Sequence, residues 1–408
     1  MSKIFANAVV GQSGGPTAAI NATLAGVIRG VQLASEEGKI QTLYGMRNGI
    51  EGFLNEELLN LSDLFKDENK IETLKRTPAA ALGSCRRRLK DFNTEREVYE
   101  RIFEIFKKYN IKYFFYIGGN DSMDTVLKIS RYAESICYDI RVVGIPKTVD
   151  NDLMATDHTP GFGSAAKYVA TTVKEILRDI SVYKTKAVTI VEIMGRDAGW
   201  LTAASSLPKL SGKGPNLIYL PEVVFDEERF FNSIEKAFET ENALLVAISE
   251  GIKFADGEYV GASKTKDAFG HKQLSGAGRI LEALVKERFG CKVRSVELNL
   301  PQRCAAHILS RTDIEESVAI GSAAVFEALR DKTGIMMTFN RVGEEEYRIE
   351  IGSQDISKIA NEVRGVPKDY INDEGNGVTE SCISYLKPLI LGEVELEYED
   401  GMPKHIIL

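Results

Sequence analysis

The sequence predicts an α/β protein with mainly parallel sheets and helices on both faces. Three observations predict it. Short apolar runs alternate with amphipathic stretches. Most of the apolar runs end in a turn built from glycine, proline or polar residues. The chain has 408 residues, about 2.7 times a ~150-residue domain, so two domains with extras are expected.

The elements follow in order. Ile4 to Val10 reads as a buried strand, and Gly11 to Pro16 as the turn after it. Ile20, Leu24, Val27, Ile28 and Val31 then recur at helical spacing, with Pro16 suited to the first helical turn. Further strands are expected at Tyr113 to Ile117, Arg141 to Ile145, Ala187 to Ile193, Leu217 to Leu220 and Leu244 to Ile248. Val169, Val173, Ile176, Leu177 and Ile180 form one helical stripe, and Asp226 is an N-cap for a helix over 227–238. Lys66 to Lys75, Glu344 to Glu346 and the polar stretch Lys264 to Ser275 read as solvated loops or helix ends. The order of strands within a sheet is not readable.

Composition narrows the function. Basic residues number 51 against 59 acidic, a net charge of −8. That argues against sequence-independent nucleic-acid binding. It leaves room for a small anionic ligand, because a few arginines can converge on one pocket. The five cysteines, 85, 137, 291, 304 and 382, show no CxxC spacing. Neither a zinc site nor a disulfide framework is expected, and a reducing cytoplasm is. The N-terminal apolar stretch is too short for a signal sequence, and no run approaches the ~18 apolar residues of a membrane span.

In open parallel sheets, ligands bind where the strands' carboxyl ends gather. Five turns there carry chemistry. Gly11-Gln12-Ser13-Gly14-Gly15-Pro16-Thr17 lets backbone amides approach an anion, or is a plain tight turn. In Gly118-Gly119-Asn120-Asp121-Ser122, Asp121 or Ser122 either faces a ligand or caps the helix from Met123 onward. Pro146-Lys147-Thr148-Val149-Asp150-Asn151-Asp152 is the densest. A carboxylate there can deprotonate an attacking hydroxyl and a cation can offset charge on a transferred phosphoryl group; Asp- and Asn-rich turns are also common as plain structure. Arg196, in Met194-Gly195-Arg196-Asp197, is placed to fork onto phosphate, or to pair with Asp197. Glu222, after Leu220-Pro221, suits sugar hydroxyls. Arg294, Gln302-Arg303 and the Arg86-Arg87-Arg88 cluster add cations; His158 receives no role.

Taken in order, GGP, GSCRR, GGNDS, PKTVDND, MGRDAG, LPE and QR resemble the phosphofructokinase family over roughly residues 4–310. The resemblance implies two Rossmann-like domains with the active site in the cleft between them. The expected division is 1–160 with 302–352 for the phosphoryl donor, and 161–301 with 353–408 for the sugar phosphate, the last ~60 residues packing on the second domain. It implies Mg²⁺ and phosphoryl transfer to the 1-hydroxyl of fructose 6-phosphate. ATP-using members typically read GGDGS and PGTIDND. Here Asp121 stands in the space of a nucleotide α-phosphate and Lys147 replaces a glycine, which implies the pyrophosphate branch. The ATP-dependent reaction and a non-catalytic sugar-phosphate sensor are the alternatives. By resemblance, Asp150 is the general base, Lys147 stabilises the transition state and Asp152 supports the charge arrangement. Gly14, Arg86, Asp121 and Ser122 face pyrophosphate. Thr148, Met194, Gly195, Arg196, Glu222 and Arg303 face the sugar phosphate. Arg294 matches an arginine lent across a subunit contact, implying a homodimer or homotetramer. Asn120 stands where many members have a metal-binding Asp, so either Asn120 or Asp121 is the expected ligand.

Overall fold

The structure is a computed structural model that describes residues 6–266, 272–274, 276–343, 346–359 and 362–408. Ile4 and Phe5 of the first expected strand, and Glu344 and Glu345 of an expected loop, lie outside the described residues.

The first strand, β1 (Ala6–Gln12), has Ala8, Val9 and Val10 all buried. Consecutive burial means that both faces are covered, as the unbroken apolar run requires. β2 (Ile40–Met46), β3 (Leu58–Asn60), β4 (Ile111–Gly118) and β5 (Arg141–Pro146) follow. The second group comprises β6 (Ala187–Ile193), β7 (Leu217–Tyr219) and β8 (Ala243–Ser249). β9 (Ala262–Lys266) and β10 (Lys272–Leu274) form an antiparallel ribbon where a loop was expected; residues 267–271 and 275 of that stretch lie outside the described residues. β11 (Lys292–Glu297), β12 (Ile335–Val342) and β13 (Arg348–Asp355) complete the sheets.

The chain is an α/β protein with two mainly parallel sheets. One has seven strands in the order β13-β12-β5-β4-β1-β2-β3. Its inner neighbours are parallel, and β3 and β13 are antiparallel edges. The other has the order β11-β6-β8-β7, all parallel. The chain reverses its winding direction between β1 and β4, and that is where a crevice opens.

Helices cover the sheets. The helix Ile20–Glu36 buries Ile20, Leu24, Val27, Ile28 and Val31, as the periodicity predicts. It starts later than expected, so Pro16 lies outside it. The turn before it is bonded elsewhere: Ser13 N–H donates to Ile117 O at 2.9 Å, Gly14 N–H to Cys85 O at 3.1 Å, and Thr17 O accepts from Ala79 N–H at 3.2 Å. This helix lies directly on the helix Arg311–Leu329. A Cβ at Gly26 would collide with the Val318 carbonyl, and one at Gly321 with the Thr23 carbonyl. The helix Phe162–Ile180 buries Val169, Val173 and Leu177 against the second sheet, with Ile176 and Ile180 at the margin. Asp226 caps Glu227–Ala237, accepting from Arg229 N–H at 2.8 Å. Lys66 to Lys75 is mostly helix Glu68–Arg76, with Ile71 and Leu74 buried.

The C-terminal region divides its loyalty. Val366, Val378, Cys382, Ile383 and Leu386 join the second core, as expected. The tail does not. Ile406 and Leu408 pack against the first core, Ile406 N–H donates to Thr77 Oγ1 at 3.0 Å, and Arg47 Nη1 donates to Leu408 O at 2.8 Å. Two apolar side chains at the end of a polar tail find cover only there. Among the described residues, no helix is long and apolar enough to cross a membrane.

Candidate active site

The carboxyl ends of β1, β4 and β5 face those of β6 and β8 across a cleft of about 430 Å³. A larger groove of about 720 Å³ lies by Asn216 and Arg229, at the amino end of β7, where parallel sheets do not place their ligands.

The turn after β5 forms the floor of the cleft. Lys147 is 3% exposed and donates its Nζ proton to Gly15 O at 2.7 Å. Burial lowers its pKa to about 8, opposed by the charges of Asp150 and Asp152. Asn151 is buried and left-handed, at φ 54°, a conformation Asn tolerates better than most residues. Asp150 and Asp152 both line the cleft while Asn151 sits behind. Thr148 Oγ1 accepts from Asp150 N–H at 3.1 Å. Burial raises Asp150 to about 7, with repulsion from Asp152 and Glu250 adding to it. Burial raises Asp152 as well.

Two turns of the first sheet form one wall. Gly14 has φ +76°, and a Cβ there would lie 3.4 Å from Lys147 Nζ. Ser84 Oγ donates to Gly14 O at 2.6 Å, which brings the Arg86–Arg88 run to the rim. The helix Asn120–Ser135 begins directly after Gly119, with no side chain capping it. The capping reading of Asp121 and Ser122 therefore falls, and the helix's positive end faces the cleft. Asp121 instead pairs with Arg88 at 2.6 Å, both half-exposed. The carboxylate at position 121 is thus partly neutralised, and any block to a nucleotide is the bulk of an ion pair rather than an unopposed negative charge. Ser122 is buried, its hydroxyl lying against Gly118.

The second sheet supplies the other wall. Met194 N–H donates to Gln302 Oε1 at 3.1 Å and Gly195 N–H to Glu250 Oε1 at 3.3 Å. Arg196 and Arg303 line the cleft, and Arg196 Nε is buried with no protein partner among the described residues. Burial and neighbouring Arg86 hold Arg303's pKa down, the mark of two cations gathered where an anion fits. Three expected residues do not line the cleft: Gly195, whose amide is turned to Glu250, and Glu222 and Arg294. Glu222 Oε1 accepts from Gly199 N–H at 2.8 Å and Val366 N–H at 2.7 Å. Arg294 is exposed on edge strand β11. Sequence reasoning missed Glu250, whose pKa burial raises to about 7, although it follows β8 as the other site residues follow their strands. It named Arg88 only as part of a charged run and gave it no role of its own, and it missed Val363, from a segment without a motif.

Metal ligands are few. Asn120 Oδ1 is buried with no hydrogen-bond partner among the described residues. Those residues contain no group of three His, Cys, Asp or Glu able to hold a metal alone. Mg²⁺ normally takes one or two protein oxygens and fills its shell with phosphate and water. An idle amide oxygen in a cleft that Asp121, Asp150 and Asp152 also line fits that manner of binding.

The sequence model of the family described as Phosphofructokinase matches residues 7–323, more than half of the chain. The chain belongs to the phosphofructokinase family. A Methylococcus capsulatus protein named pyrophosphate--fructose 6-phosphate 1-phosphotransferase is 41% identical over 405 residues, covering 98% of this chain and 96% of the relative. An Alkalicoccus urumqiensis protein named sulfofructose kinase is 30% identical over 366 residues, covering 89% and 91%. The crystal structure of the pyrophosphate-dependent phosphofructokinase from Nitrosospira multiformis superposes with a TM-score of 0.89 at 38% identity, covering 98% of this phosphofructokinase-family chain and 96% of the other.

Proposed function

We propose that the protein transfers a phosphoryl group from inorganic pyrophosphate to the 1-hydroxyl of fructose 6-phosphate, giving fructose 1,6-bisphosphate and phosphate. The observation that carries this reading is the turn after β5, which sets Lys147 and Asp150 together in a cleft rimmed by Arg86, Arg196 and Arg303. The names of its relatives support the same donor and acceptor.

These roles go with that reading. Asp150 takes the proton of the 1-hydroxyl as that oxygen attacks phosphorus in line. Asp152 raises the proton affinity of Asp150 and keeps it an effective base near neutral pH. Lys147 offsets the negative charge on the phosphoryl group in flight. The bridging P–O bond breaks, and inorganic phosphate leaves toward Gly14, Arg86 and Ser122. Asp121, tied to Arg88, closes the space beyond them. Thr148, Met194, Gly195, Arg196 and Arg303 hold the sugar phosphate. Glu222 acts on that side by fixing the backbone at Gly199. When bound, Mg²⁺ would neutralise pyrophosphate charge, and either Asn120, whose amide oxygen is idle, or Asp121 would hold it. Arg294 reaches a neighbour's cleft in a homodimer or homotetramer. The donor unit is 1–160 with 302–352, extended by the end of β13, by Ile356 and Ile359 and by the tail's Ile406 and Leu408, which pack on the first sheet; the sugar-phosphate unit is 161–301 with the rest of the C-terminal region, and the enzyme works in the cytoplasm. No nucleic acid or membrane partner is involved.

Initial rates on fructose 6-phosphate test the donor. Turnover with pyrophosphate should exceed that with ATP by about 10²-fold or more, the scale set by a blocked subsite. Turnover with ATP alone would reverse the assignment.

A further inference from the structure

We infer that Arg364 is a positioning residue for the Asp150–Asp152 turn, acting with Tyr385. The inference rests on the reading of Asp150 as general base. Both residues lie beyond residue 323, where the family match ends.

The segment carrying Arg364 runs behind the turn. Arg364 N–H donates to Asp152 O at 2.8 Å. Its guanidinium forks, Nη1 donating to Thr156 O at 2.6 Å and Nη2 to the Tyr385 hydroxyl at 3.2 Å. The same group stacks over Trp200, 4.6 Å from the ring centre, and Trp200 Nε1 donates back to Arg364 O at 3.0 Å. Tyr385 is 9% exposed. Its hydroxyl donates to Asp157 O at 2.6 Å and accepts from Asn151 Nδ2 at 3.3 Å as well as from Arg364. One donor and two acceptor sites are all that a hydroxyl has, and all are used.

The turn is therefore gripped at Asn151, Thr156 and Asp157 by two side chains, and at Asp152 by the Arg364 backbone amide, and neither residue lines the cleft. Asn151 needs such a grip. A left-handed non-glycine residue persists only where its surroundings over-determine it, and the side chain of this one is anchored by Tyr385. A planar fork satisfies two carbonyl and hydroxyl directions at once, which an ammonium group does not. Without the grip the turn relaxes, Asp150 drifts from the hydroxyl it must meet, and water enters behind it.

The test uses the full chain and three variants. Tyr385→Phe keeps the ring packed on Trp200 and Tyr370, at 5.2 and 5.7 Å, so the fold survives even if Arg364→Lys proves unstable. Both variants should lower kcat about 10- to 100-fold, the cost of a misplaced reacting group, and leave each KM within about 3-fold. Both should also move the acid limb of the kcat–pH profile to lower pH, because a wetter Asp150 ionises more readily. A merely structural role would lower the melting temperature and leave that limb in place. Asp150→Asn is the control. If it loses turnover while both other variants keep wild-type kcat and an unmoved acid limb, Arg364 has no positioning role. If Asp150→Asn keeps turnover, the base assignment itself fails, and the role of Arg364 with it.

Discussion

Asp150 and Lys147 owe their chemistry to being enclosed together. Asp150 is raised to about 7 chiefly by burial, and Lys147 is lowered to about 8 by the same cause. The base must be ionised and the cation protonated. Activity should therefore fall as pH drops through about 7 and again as it rises through about 8, giving a narrow bell in kcat/KM. A flat profile across that window would remove both groups from the reaction. Asp150→Asn should keep the fold and lower turnover by about 10² or more. These residues were legible in the sequence because each follows an apolar run that can only be a strand. Glu250 had the same signal, unused because its neighbours are plain. Arg364 had none: its contact with Thr156 spans 208 positions, and no local pattern encodes so distant a partner.

Among the elements, the buried pair Ile20–Glu36 and Arg311–Leu329 is the least forgiving. With no room for a Cβ at Gly26 or Gly321, Gly321→Ala must push the two backbones apart. It should cost about 1–3 kcal/mol, the usual penalty for overpacking, read as a lower urea midpoint with an unchanged slope. An unchanged midpoint would mean that the helices separate freely. The strands β1 and β4 to β8 were legible from apolar runs, and the Asp226 cap from its side chain; β2, β3 and β11 to β13 were not expected. The start of Ile20–Glu36 was not. The residues before it bond to Ile117 and Cys85, so the helix boundary is set by partners far along the chain. The β9–β10 ribbon was missed because its residues carry no apolar alternation.

At the scale of the whole molecule, the sequence gives two α/β layers but not how they interleave. β12 joins β5 from across the entire second sheet, and only the fold reveals it. One buried site reports on that assembly. His158, 2% exposed, bonds Asp157 at 2.8 Å and Glu316 at 2.7 Å and stacks on Phe339. Arg341 and Tyr347 approach the two carboxylates, and Asp313 lies near. Burial alone would lower the imidazole's pKa. The two hydrogen-bonded carboxylates outweigh it, and the net shift is upward from 6.5. A raised folded pKa adds stability that is complete below the unfolded value and is lost as pH rises through the folded one. His158→Gln should therefore cost about 3 kcal/mol near pH 6 and less near pH 9, by urea titration at both. An equal loss at the two pH values would show the ring to be neutral throughout.

The polypeptide passes between the two layers repeatedly, and its last residues return to lie on the layer where it began. Neither half is a continuous stretch of sequence. A fragment ending at residue 323 would lack β12 and β13, the two strands that continue the sheet beyond β5 and so support the catalytic turn, and it would lack the tail's clasp. The part that the family model matches, residues 7–323, is thus not a smaller working version of this chain, and any recombination of halves between cousins must exchange several segments at once.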